Sequence, residues 1–160
     1  MNKFNLLLLT LFNTGNFKYA PGTIASFFTC IFFLVLINFL SIFFLFLFTL
    51  IIFFYSLYAI NKSYQTFDSK DPQEIVIDEF IGQMLPLLAI PIYETLFPVT
   101  KLYYCIFAFV VFRFFDILKP FPINYIDKYT KGALGIMLDD IVAGFFSIFL
   151  LILLFFYLGG

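Results

Sequence analysis

Asp78 and Glu79, then Arg113, Asp116 and Lys119, then Asp139 and Asp140 are the side chains of this sequence best suited to chemistry. They stand in three short polar windows, DPQEIVIDEFIG (71–82), FRFFDILKPFPI (112–123) and GIMLDDIVAG (135–144), separated by long apolar runs. Five carboxylates at the edge of such runs need something to offset their desolvation. All-oxygen ligation suits a hard cation, with Mg²⁺ the first expectation. Arg113 and Lys119 suit a phosphate, which a guanidinium and an ammonium bind as charge-assisted donors. A metal with two cations beside a bilayer fits the phosphate of a lipid headgroup. The chemistry on offer is phosphoryl transfer to water, with a spare carboxylate to take the proton.

Each window also has a plainer reading. Acids at a helix start are favoured by the unpaired N–H groups and the macrodipole. One acid at each start would need no other account, whereas Asp78-Glu79 and Asp139-Asp140 are doublets. Neighbouring helical side chains diverge by about 100°, so one of each doublet is expected to point into a shared site. Gly82 lies four residues beyond Asp78, and Gly144 four beyond Asp140, on the same helical face, where a missing side chain lets a helix or a ligand come close. Asp116 is expected in the last turn of a helix, where the macrodipole disfavours it. Arg113, three residues earlier, is placed to pair with it.

A fourth motif, TGNFKYAPGTIAS (14–26), contains a Pro21-Gly22 turn signal with Thr23 placed to N-cap the helix that follows. Lys18, Thr23 and Ser26, with free backbone N–H groups, form a candidate phosphate cradle. Thr14 belongs to the same group.

The elements that carry these windows are membrane helices. Hydrophobic residues make up 63% of the chain and charged residues 12%, with a mean hydropathy of +1.05, which is far from soluble-domain composition. The net charge of −1 and the lack of basic clusters argue against nucleic acid. There is no His, which excludes His-dependent phosphatases, Ser-His-Asp hydrolases and His-ligated zinc sites. Cys30 and Cys105 lie in apolar runs, without metal-ligand spacing, and read as small buried hydrophobes.

The predicted fold is all-α, one domain over 1–160. It is a polytopic membrane bundle of about five transmembrane or membrane-embedded helices, preceded by an N-terminal interfacial or re-entrant segment, MNKFNLLLLTLF, expected to remain uncleaved. The spans are expected at roughly 24–38, 41–60, 75–97, 99–118 and 140–158, given that a crossing takes about 20 apolar residues. Pro86 and Pro91 should bend the third, and Pro120 should end the fourth. With this count Lys3, Lys18, Lys62, Lys70, Arg113, Lys119, Lys128 and Lys131 share one face and Lys101 lies opposite. The positive-inside rule then turns all three windows to the cytoplasm.

APGT before the first span, IVIDEFIG, FRFFDILKPFPI and GIMLDDIVAG, in this order and spacing, resemble the phosphatidylglycerophosphatase A family of bacterial inner-membrane enzymes. The resemblance covers nearly the whole chain. It implies Mg²⁺-dependent hydrolysis of phosphatidylglycerophosphate to phosphatidylglycerol and inorganic phosphate at the cytoplasmic leaflet. It assigns the family's acidic motifs to Asp78 and Glu79, to Asp116 between Arg113 and Lys119, and to Asp139 and Asp140. The loop before the first span departs from the family, being poorer in glycine, and Ala25 stands where a glycine is usual. The competing expectations are a cation transporter or channel lined by the carboxylates, which would need polar residues through the membrane's depth, and a non-catalytic membrane subunit.

Overall fold

The computed structural model describes residues 3–63, 74–97 and 100–159. Lys70 and residues 71–73, expected in the 61–74 loop and the first polar window, lie outside the described residues. Within the described residues the regular structure is all helical, without strands, and has eight α-helices: α1 (Lys3–Leu9), α2 (Pro21–Leu36), α3 (Ile42–Ser63), α4 (Ile77–Leu88), α5 (Ile90–Leu96), α6 (Lys101–Leu118), α7 (Ile123–Tyr129) and α8 (Gly132–Gly159).

Two of them, over Ile42–Lys62 and Gly132–Tyr157, are long and apolar enough to cross a membrane. α2 is apolar but has 16 residues. The third expected span divides into α4 and α5 at Ala89, between Pro86 and Pro91, where proline removes backbone donors from the helical ladder. Thr100 caps α6 by accepting from the Tyr103 N–H, and Lys119 ends it ahead of Pro120.

α2, α4, α6 and α8 pack against one another, with α3 laid on α4 and α8 and α7 folded back on α8. Large apolar side chains such as Phe27, Phe54, Phe107, Phe149 and Phe156 face outward, as expected of helices solvated by lipid. Small residues let the bundle close. A Cβ on Gly82 would lie 2.7 Å from the Asp140 carbonyl and 2.8 Å from the Phe112 ring. One on Gly144 would lie 2.6 Å from the Gly82 carbonyl. The two D-x-x-x-G segments therefore cross backbone to backbone at their glycines, and it is a helix, not a ligand, that the missing side chains admit.

The N-terminal segment is built into this bundle. Tyr55 of α3 donates to Asn5 Oδ1 at 2.8 Å, and the Val76 N–H donates to the Leu9 carbonyl at 3.0 Å. That second bond fixes the approach to Ile77 and so the start of α4.

Two expected boundaries move. α8 begins at Gly132 rather than near 140. Thr23 is the third residue of α2, whose N-cap is Ala20 in the left-handed region (φ 47°), with Pro21 at the first helical position, where its missing N–H is no loss.

Candidate active site

The crossing of α4 and α8 sets the depth of the site. Asp78 lies one turn before Gly82, and Asp140 one turn before Gly144, so the closest approach of the two helices brings these acids together. Carboxylate oxygens of Asp78, Glu79 and Asp140 all lie within 4.8 Å of one another. Asp139 and Asp140 are buried, at 6% and 3% exposure. They stand seven and eight residues after Gly132, about two turns into α8. The macrodipole acts within the first turn, so capping does not account for this doublet.

The doublets divide their work differently. On α8 the divergence of neighbouring side chains holds: Asp140 joins the cluster while Asp139 turns to Lys119, its Oδ2 2.7 Å from the Lys119 Nζ. On α4 both acids contribute an oxygen, against the expectation of one. Glu79 manages this because its longer side chain lies over Gly22 of α2, where a Cβ would collide with Glu79 Oε1. Gly22→Ala therefore displaces a flexible carboxylate and leaves the backbone in place. Its expected effect is a loss of roughly 10–100-fold in turnover, the scale of a small misplacement of a catalytic group, with an unchanged melting temperature. Parallel activity and thermal-melt measurements check it.

α6 supplies the third side. Arg113 and Asp116 form an ion pair, with side chains 14% and 11% exposed, so the expected pairing is present. The same Asp116 lies beside Asp140, and both partners face the cleft that holds the cluster. Lys119 takes a left-handed conformation (φ 41°) as the C-cap of α6. A glycine would adopt it more readily, so the ammonium is what this position supplies. Its Nζ lies 2.8 Å from Asp127 Oδ1. Burial opposes the charge of Lys119, but the hydrogen bonds and charges of Asp127 and Asp139 prevail and hold its pKa above the ordinary lysine value.

All these groups line one cleft of about 1050 Å³, together with Lys18, Gly22 and Thr23. Of the expected site residues, Thr14 is not on its wall, its hydroxyl donating to the Leu11 carbonyl at 2.9 Å, and neither is Ser26. It is fully buried, and its hydroxyl donates to the Gly22 carbonyl at 2.9 Å, the back-bond common for Ser within helices. Asp127, Lys128, Thr130 and Lys131 line the cleft without having been expected there. Asp127 follows an apolar run in a short helix, with nothing in its spacing to mark it. Gln83, one turn beyond Glu79, was also passed over. It is fully buried, and neither amide atom has a partner among the described residues.

The donor set fits a hard cation. Asp78 Oδ1, Glu79 Oε2, Asp139 Oδ1 and Asp140 Oδ2 are buried and without a hydrogen-bond partner among the described residues. Buried anionic oxygens left unpaired are strongly unfavourable unless a cation meets them. Cys30 and Cys105 are free and buried in α2 and α6.

The family model described as phosphatidylglycerophosphatase A matches residues 7–155. The phosphatidylglycerophosphatase A of Haemophilus influenzae is 34% identical over 142 residues, covering 89% of this chain and 83% of that protein. A putative phosphatidylinositol-3-phosphatase of Bacteroides thetaiotaomicron is 33% identical over 150 residues, 91% of this chain and 90% of that protein. The phosphatidylglycerophosphatase A of Escherichia coli is 33% identical over 141 residues, 88% of this chain and 77% of that protein. No solved structure matches the chain.

Proposed function

The chain belongs to the phosphatidylglycerophosphatase A family, and from that premise we propose that it hydrolyses phosphatidylglycerophosphate to phosphatidylglycerol and inorganic phosphate with Mg²⁺ at the cytoplasmic leaflet of a bacterial inner membrane. It is a phosphatase acting on a phospholipid. The observation that carries the metal-dependent reading is the meeting of Asp78, Glu79 and Asp140 within 4.8 Å, with unpaired buried oxygens.

In this reading Asp78, Glu79 and Asp140 hold the ion. When bound, Mg²⁺ polarises the phosphoryl oxygens and acidifies a water. Arg113 and Lys119 supply the positive charge that receives the terminal phosphate, with Lys18 and Thr23 also lining the cleft. Asp139 engages Lys119 through Oδ2, which leaves Oδ1 to accept the proton of the attacking water. The water oxygen forms the new bond to phosphorus as the ester P–O bond breaks. The glycerol oxygen leaves with a proton, so no net proton is consumed.

In the proposed topology α2, α3, the broken α4–α5 element, α6 and α8 are the five membrane-embedded helices, and Lys101 and Lys119 stand at opposite ends of α6. The lysine distribution supports a cleft on the cytoplasmic side. The cation channel or transporter gains no support from the family match or the relatives.

A lipid panel tests the substrate. Purified protein in detergent is given phosphatidylglycerophosphate and, because of the Bacteroides relative's name, phosphatidylinositol 3-phosphate. Release of phosphate from the first in clear preference is expected; preference for the second replaces the proposed substrate while keeping the site. Arg113→Ala should chiefly raise KM, by roughly 10-fold, the scale of a lost charge-assisted bond. Failure of that variant to fold would instead make the Arg113–Asp116 pair structural.

A further inference from the structure

Lys119 is held by two acids of unequal depth. Its Nζ lies 2.7 Å from Asp139 Oδ2 and 2.8 Å from Asp127 Oδ1, and the Asp139 side chain is 8% exposed against 43% for Asp127. One ammonium between two carboxylates leaves the trio with a net negative charge. That is a poor receptor for a phosphate, yet it stands in the cleft that must take one. An ammonium has three N–H donors, so the third alone is open to a ligand while both acids stay in place.

The arrangement favours one way of freeing the charge. Releasing Asp139 would strand a buried carboxylate, which is strongly unfavourable. Asp127 stands on α7 at the rim of the cleft, half in solvent, where water replaces a lost partner and an exposed ion pair is worth little. Asp127 lies outside the D-x-x-x-G segments and outside the proposed metal cluster.

We propose that Asp127 is the exchangeable counter-ion of Lys119, which the incoming phosphate displaces from the ammonium and which returns as inorganic phosphate leaves. Asp127 is thus a positioning residue acting through Lys119. It keeps the ammonium aligned in the empty cleft and competes with bound product. The proposal rests on the reading of this cleft as a phosphate site, but not on the identity of the lipid.

The test is calorimetric binding of inorganic phosphate to the detergent-purified protein in Mg²⁺, for wild type, Asp127→Asn, Asp127→Glu, Lys119→Met and the Asp127→Asn/Lys119→Met double variant. Asp127→Asn should bind phosphate roughly three- to tenfold tighter, the scale of removing one nearby charge in a partly solvated site, and should lower the KM for lipid in parallel. Asp127→Glu should behave as wild type. On the Lys119→Met background the Asn substitution should change nothing, since the effect passes through that ammonium.

Weaker phosphate binding in Asp127→Asn would overturn the proposal, because a fixed alignment role gives that sign. No change would overturn it too, as would equal tightening without Lys119. If Lys119→Met does not purify, the sign of Asp127→Asn alone decides. Phosphate tightening without turnover of phosphatidylglycerophosphate would sink the substrate reading and leave this one standing.

Discussion

Asp140→Asn should remove nearly all phosphate release from phosphatidylglycerophosphate, a fall of roughly 10³-fold or more, at the upper end of what one electrostatic contact in a buried site supplies. Three observations converge on this side chain. Its carboxylate meets those of Asp78 and Glu79, it lies beside Asp116, and its Oδ2 is buried without a partner. Asparagine keeps the volume and removes the charge, so packing of α8 against α4 should survive. The variant should insert, purify and melt as the wild type does, or somewhat higher, because a buried carboxylate freed of its charge no longer opposes folding. Asp139→Asn should also nearly abolish turnover, but for another reason: it loses the proton acceptor and loosens Lys119. Excess Mg²⁺ should partly restore an Asp78→Asn variant, which keeps two of the three carboxylates, and should not restore Asp139→Asn. Activity measured across a Mg²⁺ titration separates the two classes. Wild-type turnover in Asp140→Asn would remove the metal cluster from the account.

Gly144→Val should fail in both stability and activity. Any Cβ there would lie 2.6 Å from the Gly82 carbonyl and 3.0 Å from Leu85 Cδ1. The leucine can rotate away, but the carbonyl belongs to the α4 backbone and cannot. α8 must therefore move off α4, and the acids one turn above the crossing separate. Overpacking of this kind costs about 1–3 kcal/mol, enough to lower the melting temperature by several degrees. Gly144→Ala should lie between wild type and Val. The contrast with Asp140→Asn is the useful part: one substitution lowers the thermal transition with the activity, the other lowers activity alone. Thermal unfolding in detergent beside phosphate release reads both. A Gly144→Val protein with native stability would show that the glycines do not set the helix approach.

The motifs themselves were legible in the sequence because their residue types are rare in an apolar chain. Asp78 with Gly82 and Asp140 with Gly144 were visible as a spacing. What the spacing meant was not: only the third dimension shows Gly82 and Gly144 against each other rather than against a ligand. The start of α8 was missed because the expected span was set by the apolar run after the acidic doublet, from about 140. The structure instead uses Gly132 at φ 76° as the entry to the helix, and Gly135 where α7 folds back at the Thr130 carbonyl. That shift of about two turns is what separates Asp139 and Asp140 from ordinary capping acids.

The Lys119–Asp127 contact joins residues eight apart across a proline-containing turn, and no helical or strand period connects them. Ser26 was expected to point at a ligand, but helical Ser readily satisfies itself on its own backbone, as it does here with Gly22. Glu79 escaped the one-acid-per-doublet rule because a methylene more of reach and an empty position at Gly22 let it bend into the cluster. The span count was the least legible feature. Among the described residues only α3 and α8 have the length and composition of free-standing spans, while the shorter α2, α4 and α6 close the bundle around the site.

Three carboxylates on α4 and α8 are proposed to hold a divalent cation without which this chain cannot hydrolyse its lipid phosphomonoester. The most direct measurement is phosphate release from phosphatidylglycerophosphate by the purified protein in detergent, with Mg²⁺, then with EDTA, then with Mg²⁺ returned in excess. Release that stops with EDTA and recovers with Mg²⁺ is the predicted result; release that continues undiminished in EDTA would contradict it.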